Sequence, residues 1–146
     1  MFKTILVPLD IQEPEYASLA LKHAVDEARQ SGADLHILTV LPGFGMPMVA
    51  SFFPPGAGAK LRNKAEEALG RIVAERIPED LNPKLEITEG RRPHEEIARH
   101  AEAIGADLIV MASHHHQGLD GMLLGSCARR VVEQAHSSVL VIRECK

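Results

Sequence analysis

Along this chain the apolar residues switch between two spacings in regular alternation. Ile5-Leu6-Val7 is apolar at every position and bounded by Pro8 and Asp10, as a strand buried on both faces of a parallel sheet requires. From Glu15 the spacing becomes helical. Ala17, Ala20, Leu21, Ala24, Val25 and Ala28 form one stripe, and Ser31-Gly32 supplies the stop. Leu35 to Val40 reads as a second strand, and Leu61, Ala65, Ala68, Leu69, Ile72 and Val73 as a second helical stripe. Leu85 to Thr88 is a third strand, and Gly90 turns the chain. Pro93 suits a helix's first turn, Glu95 and Glu96 complement its positive end, and Gly105 follows, so a third helix is predicted over Pro93 to Ala103. Leu108 to Met111 is a fourth strand, Ser126 to Ala135 a helix, and Val139 to Ile142 a fifth strand.

Strict alternation of strand and helix predicts a single α/β domain over residues 1–146: a doubly wound, five-stranded parallel sheet with helices on both faces. One stretch interrupts the pattern. Residues 41–59 are rich in Gly and Pro and carry Phe44, Met46, Met48, Phe52 and Phe53. A loop of this length is either a lid or binding loop, or an insertion without a role.

Composition narrows the class. With 45% hydrophobic and 25% charged residues, the chain is ordinary globular protein rather than disordered or membrane-embedded. A net charge of -4 and an aromatic share of 3% argue against a nucleic-acid partner, because an acidic surface repels phosphate backbone and few rings are available for stacking. The apolar run before Asp10 is too short for an export signal or a membrane span. Cys127 and Cys145 sit in no metal-type or redox-type pair, as in a reducing compartment. A cytoplasmic location is the expectation.

In open α/β sheets ligands gather beyond the carboxyl ends of the strands, which directs attention to Leu9-Asp10, to Val40-Leu41, and to Ala112-Ser113-His114-His115 with the following Leu123-Leu124-Gly125-Ser126. Gly125-Ser126 immediately precedes the last helix. Free backbone N–H groups there suit an anion, and the missing side chain of Gly125 permits close approach; an ordinary Ser N-cap is the competing reading. Asp10 offers hard oxygens to a ribose hydroxyl or to Mg²⁺, or else caps its own loop. His114, His115 and His116 are consecutive and lack a completing Cys or carboxylate, which disfavours zinc. Arg91-Arg92 and Arg129-Arg130 are the paired basic residues, the second pair one turn from the anion site. No G-x-S-x-G elbow, P-loop or G-x-G-x-x-G turn is present.

Ile5-Leu6-Val7-Pro8-Leu9-Asp10, Gly105-Ala106-Asp107-Leu108-Ile109-Val110-Met111-Ala112-Ser113-His114, Leu123-Leu124-Gly125-Ser126 and Ser138-Val139-Leu140-Val141-Ile142, in that order, resemble the universal stress protein family along the whole chain. The resemblance implies strand order 3-2-1-4-5 and an ATP-binding, stress-responsive regulator or switch whose hydrolysis is slow or absent. It places Pro8 and Asp10 at the adenosine end beside Leu9, the Val40 backbone at adenine, Ala112, Ser113, His114 and His115 at ribose and phosphates, and Gly125, Ser126 and Cys127 at phosphate. Nucleotide-binding members carry Gly, two residues, Gly, nine residues, Gly, then Ser or Thr. Here the final pair is Gly125-Ser126, while Ala112 and His115 stand at the first two glycines. The family also implies a homodimer through Val139 to Ile142. A protein-interaction module of the same fold that holds no nucleotide is the alternative.

Overall fold

The computed structural model describes residues 1–41, 54–113 and 124–143. Strands β1 (Thr4–Pro8), β2 (Asp34–Leu41), β3 (Lys84–Glu89), β4 (Leu108–Ser113) and β5 (Ser138–Arg143) form one sheet in the order β3-β2-β1-β4-β5. Every neighbouring pair is parallel. The connecting helices among the described residues are α1 (Pro14–Ser31), α2 (Ala57–Arg76), α3 (Pro93–Ile104) and α4 (Ser126–Gln134).

The uninterrupted apolar runs work because both sheet faces are covered. Ile5 and Val7 point into a core shared with α1 and α2, including Leu21, Leu69 and Ile37. Leu6 points the other way, into a core with Leu38, Ile97, Ile109, Ala128 and Val131, so α3 and α4 cover the second face. Alanines 17, 20, 24 and 28 of α1 are all buried, and their small side chains let that helix lie close to the central strands. Gly32 and Gly105 end α1 and α3 in the left-handed conformation, at φ 70° and 69°, where a residue with a Cβ is strained.

All five predicted strands and four helices are present, most with ends extended by one to several residues and the last helix stopping one residue earlier, at Gln134. α2 begins at Ala57, inside the stretch read as loop; residues 42–53, with Phe44, Met46, Met48, Phe52 and Phe53, lie outside the described residues. The apolar pattern did not announce a short 3₁₀ turn at Glu79–Leu81, tied to α1 by an Arg29–Asp80 ion pair of 3.3 Å.

The amino ends of β1 and β4 are clamped by one carboxylate. Asp107 accepts hydrogen bonds from the N–H of Thr4 at 3.0 Å and from the N–H of Lys3 at 2.9 and 3.1 Å. Those backbone donors, Thr4 foremost, hold its carboxyl below the usual carboxylate range against a smaller opposing effect of burial. Because the folded-state pKa is the lower one, the stabilisation is complete above the unfolded pKa of about 3.9 and is lost as pH falls through the folded value. Asp107→Ala is expected to lower stability at pH 7 by about 1 kcal/mol, the exposed setting weakening a charge-assisted pair of bonds. Urea unfolding at pH 7 and pH 3 checks this: the wild-type and variant midpoints should converge in acid, and a gap that stays constant rules the carboxylate out as its source.

Candidate functional site

β1 and β4 are sheet neighbours, yet their following helices lie on opposite faces, α1 on one and α4 on the other. Such a reversal leaves the carboxyl ends of the two strands uncovered. Register and burial locate the opening. β1 runs beside β2 from Thr4 to Pro8, and β4 beside β5 from Leu108 to Ser113. Between β1 and β4 the ladder holds only Ile5↔Leu108 and Leu6↔Ile109. Beyond Leu6 this ladder is not continued, yet Val7 and Val110 stay fully buried in one core, so the crevice expected at such a reversal lies past the strand ends at Pro8 and Ser113.

One wall of the crevice is the turn from β1 to α1. The Leu9 N–H donates to the Leu38 carbonyl at 2.8 Å, and the Thr39 hydroxyl donates to the Leu9 carbonyl at 3.2 Å. Leu9 is 4% exposed and belongs to the core under α1, so its side chain faces away from the crevice and it serves to hold the turn. Asp10 closes an Asx turn: Oδ1 accepts from the Gln12 N–H at 2.9 Å, and its carbonyl accepts from the Glu13 N–H at 3.1 Å. Asp10 thus caps its own loop while remaining exposed. Pro8, the last residue of β1, and Val40 of β2 are half-buried on the same edge.

The opposite wall is the start of α4. Gly125 is its N-cap, in extended conformation at φ -62° and ψ 156°, and no side chain caps the first turn. Ser126 is therefore the first helical residue rather than the cap that its type suggested. The N–H groups of Ser126, Cys127 and Ala128 precede the first residue able to bond within the helix, Arg129, whose N–H reaches the Gly125 carbonyl at 3.0 Å. The N–H of Gly125 itself donates to the Ser113 hydroxyl at 2.8 Å.

Cys127 links the two walls. Burial pushes its thiol up, the Arg130 guanidinium opposes that shift, and the Asp10 carboxylate adds to it. Asp10 and Arg130 are therefore both within electrostatic reach of the second residue of α4. A thiol held protonated is a poor nucleophile, so Cys127 contributes backbone and packing rather than covalent chemistry.

Ala112 packs its methyl against the core on the α1 side, whereas α4 lies on the other face. The side chain added at this glycine position is taken up by the core. His114 and His115 lie outside the described residues, as do His116, Leu123 and Cys145. Among the described residues no group of three or more His, Cys, Asp or Glu could hold a metal ion, and no helix is long and apolar enough to cross a membrane. The arginine pairs separate. Arg92 bonds Glu95 at 3.1 Å beside a cavity of about 480 Å³ that Arg91 and Glu96 also line, away from the crevice at the start of α3. Arg129 reaches Glu133 at 4.0 Å along α4, and Arg130 is the member whose charge is felt at the Cys127 thiol.

Two residues of this site escaped the sequence reading in their actual roles. Thr39 is 1% exposed and was legible only as a polar interruption in an apolar strand. Ser113 was grouped with ligand contacts, and nothing in the sequence signalled that its hydroxyl also accepts the Gly125 N–H.

Comparison with known proteins gives a consistent result. Residues 1–143 match the model of the universal stress protein family. Universal stress protein MJ0531 of Methanocaldococcus jannaschii is 33% identical over 151 residues, which cover 100% of this chain and 85% of the relative. The solved structure of protein MJ0577, a universal stress protein of the same organism, superposes with a TM-score of 0.78 at 32% identity, covering 100% of this chain and 99% of the other. A universal stress protein solved in complex with cAMP shares the fold, with a TM-score of 0.65 at 22% identity and coverage of 99% and 98%.

Proposed function

Because the chain belongs to the universal stress protein family, we propose that it is a cytoplasmic, stress-responsive regulator that binds ATP in the crevice between β1 and β4 and hydrolyses it slowly or not at all. The observation that carries this reading is that an uncapped helix start and an acidic turn both stand at the carboxyl edge where the chain reverses between β1 and β4. The free N–H groups and positive end of α4 suit phosphate oxygens. Gly125 has an ordinary negative φ, so glycine is not needed there for backbone shape, and what its missing side chain provides is room. The relative that holds cAMP indicates that this fold accommodates an adenine nucleotide; the case for this chain rests on its own residues.

In this reading the half-buried Pro8 and Val40 border the adenosine end, with the Val40 backbone toward adenine. Ala112, His114 and His115 border the ribose and phosphates, Ser113 stands behind them holding the Gly125 N–H, and Gly125, Ser126 and Cys127 receive phosphate. Asp10 would hold Mg²⁺. One exposed carboxylate fits an ion that takes most of its ligands from phosphate and water, and the ion would supply neutralisation of phosphate charge. Arg130 adds positive charge on the α4 side. Neither a protonated Cys127 nor an Asp10 engaged in its own turn is poised as a base, which favours a switch over a fast hydrolase.

The chain would act as a homodimer through β5. Among the described residues this strand pairs on one side only, with β4, and Leu140 is 39% exposed on it. Pairing with a second copy would cover an apolar edge.

Calorimetric titration of Mg-ATP into nucleotide-stripped protein, with GTP and AMP alongside, tests the reading. Saturable binding with preference for ATP is the expected result. No heat at millimolar ligand would reject it in favour of an interaction module of the same fold.

A further inference from the structure

Ser113 ends β4 and is 7% exposed. Its hydroxyl accepts the Gly125 N–H at 2.8 Å across 12 residues of sequence, so this one bond joins the end of the strand to the first turn of α4. Neither element needs it to stay in place. β4 is paired with β5 over its full length, and α4 is anchored in the core by Ala128 and Val131. The bond ties the residue just ahead of the helix to the carboxyl end of β4, at the edge where the crevice lies. It also takes up the N–H that faces back toward the strand, and leaves those of Ser126, Cys127 and Ala128 to solvent or ligand.

We propose that Ser113 is a positioning residue, a latch that sets the start of α4 at the distance from Asp10 that a polyphosphate spans, acting through Gly125 and not by touching the nucleotide. This rests on the ATP-binding reading and refines it. The consequence is chemical selectivity. The latch governs the phosphate end of the crevice and leaves the adenosine end, formed by Pro8 and Val40 on the far half of the sheet, unaffected. A hydroxyl suits the task because it accepts an N–H without bringing a negative charge near phosphate, as an aspartate in its place would.

The test uses the full chain as wild type, Ser113→Ala and Ser113→Thr, with Mg-ATP and adenosine as separate titrants and Gly125 amide exchange followed by NMR. Ser113→Ala is expected to weaken Mg-ATP about tenfold, the worth of one hydrogen bond that orders several others, while adenosine affinity stays unchanged. Gly125 should lose amide protection in the Ala variant. Ser113→Thr, which keeps the hydroxyl, should restore both the affinity and the protection; if the added methyl prevents folding, the contrast between ATP and adenosine in Ser113→Ala decides alone. Equal losses for ATP and adenosine would mean a general structural role and overturn the latch, as would an Ala variant that binds Mg-ATP like the wild type. A wild-type protein that binds no Mg-ATP sinks the nucleotide reading and the latch's purpose with it, an outcome distinct from binding that ignores Ser113.

Discussion

Gly125→Glu is expected to abolish Mg-ATP binding while leaving the protein folded. The backbone at this position, φ -62° and ψ 156°, is one that any L-residue adopts, so the substitution imposes no backbone strain. A carboxylate at the start of α4 is even favourable to the helix, since it lies at the positive end of the dipole. The same charge is fatal to the ligand. It occupies the room beside the free N–H groups of Ser126 and Cys127 and sets a negative group against incoming phosphate, a juxtaposition that costs several kcal/mol. An affinity loss of about 100-fold or more follows. Calorimetry with Mg-ATP, beside a thermal melt showing a folded variant, is the measurement. A folded Gly125→Glu protein with unchanged ATP affinity would falsify the placement of phosphate at α4.

Leu6→Ala should produce the largest loss of stability. Leu6 is fully buried at the centre of the sheet, among Leu38, Ile97 and Ile109. It lies on a strand bonded on both sides, where the backbone cannot collapse to refill the space. Truncation of such a leucine costs about 2–5 kcal/mol, a large share of the roughly 5–15 kcal/mol that holds a domain of this size together. Urea unfolding followed by circular dichroism reads the change as a lower midpoint with an unaltered slope. Because Ala128 and Val131 of α4 close the same cluster, the variant should also loosen the helix that carries the proposed phosphate site. A loss below about 1 kcal/mol would contradict a close-packed second core.

The elements whose chemistry is local were legible in the chain itself. Ile5-Leu6-Val7 had no polar face, and a strand of that kind has no stable place except between two helical layers. The stripe of Ala17, Ala20, Leu21, Ala24, Val25 and Ala28, the N-terminal Pro93 and the terminal Gly32 and Gly105 specified where helices run and stop. The same local logic pointed to the carboxyl edge and to Gly125-Ser126.

The tertiary structure decided matters that depend on which distant groups meet. Ser at 126 looks like a cap, yet the cap is Gly125, and its N–H is claimed by Ser113, a partner that only the adjacency of β4 and α4 supplies. Leu9 sits in the middle of a candidate motif, but the pleat turns its side chain into the core. The Asp107 clamp joins the start of the chain to a residue more than one hundred positions away. The crevice itself comes from a sheet order that sets β1 beside β4 while the helices that follow them cover opposite faces. Periodicity records which face of each element is apolar, and so the sequence alone determined the layers; the register between strands and the reach of individual N–H groups arise when the layers pack, and so the geometry of the site was left to the tertiary fold.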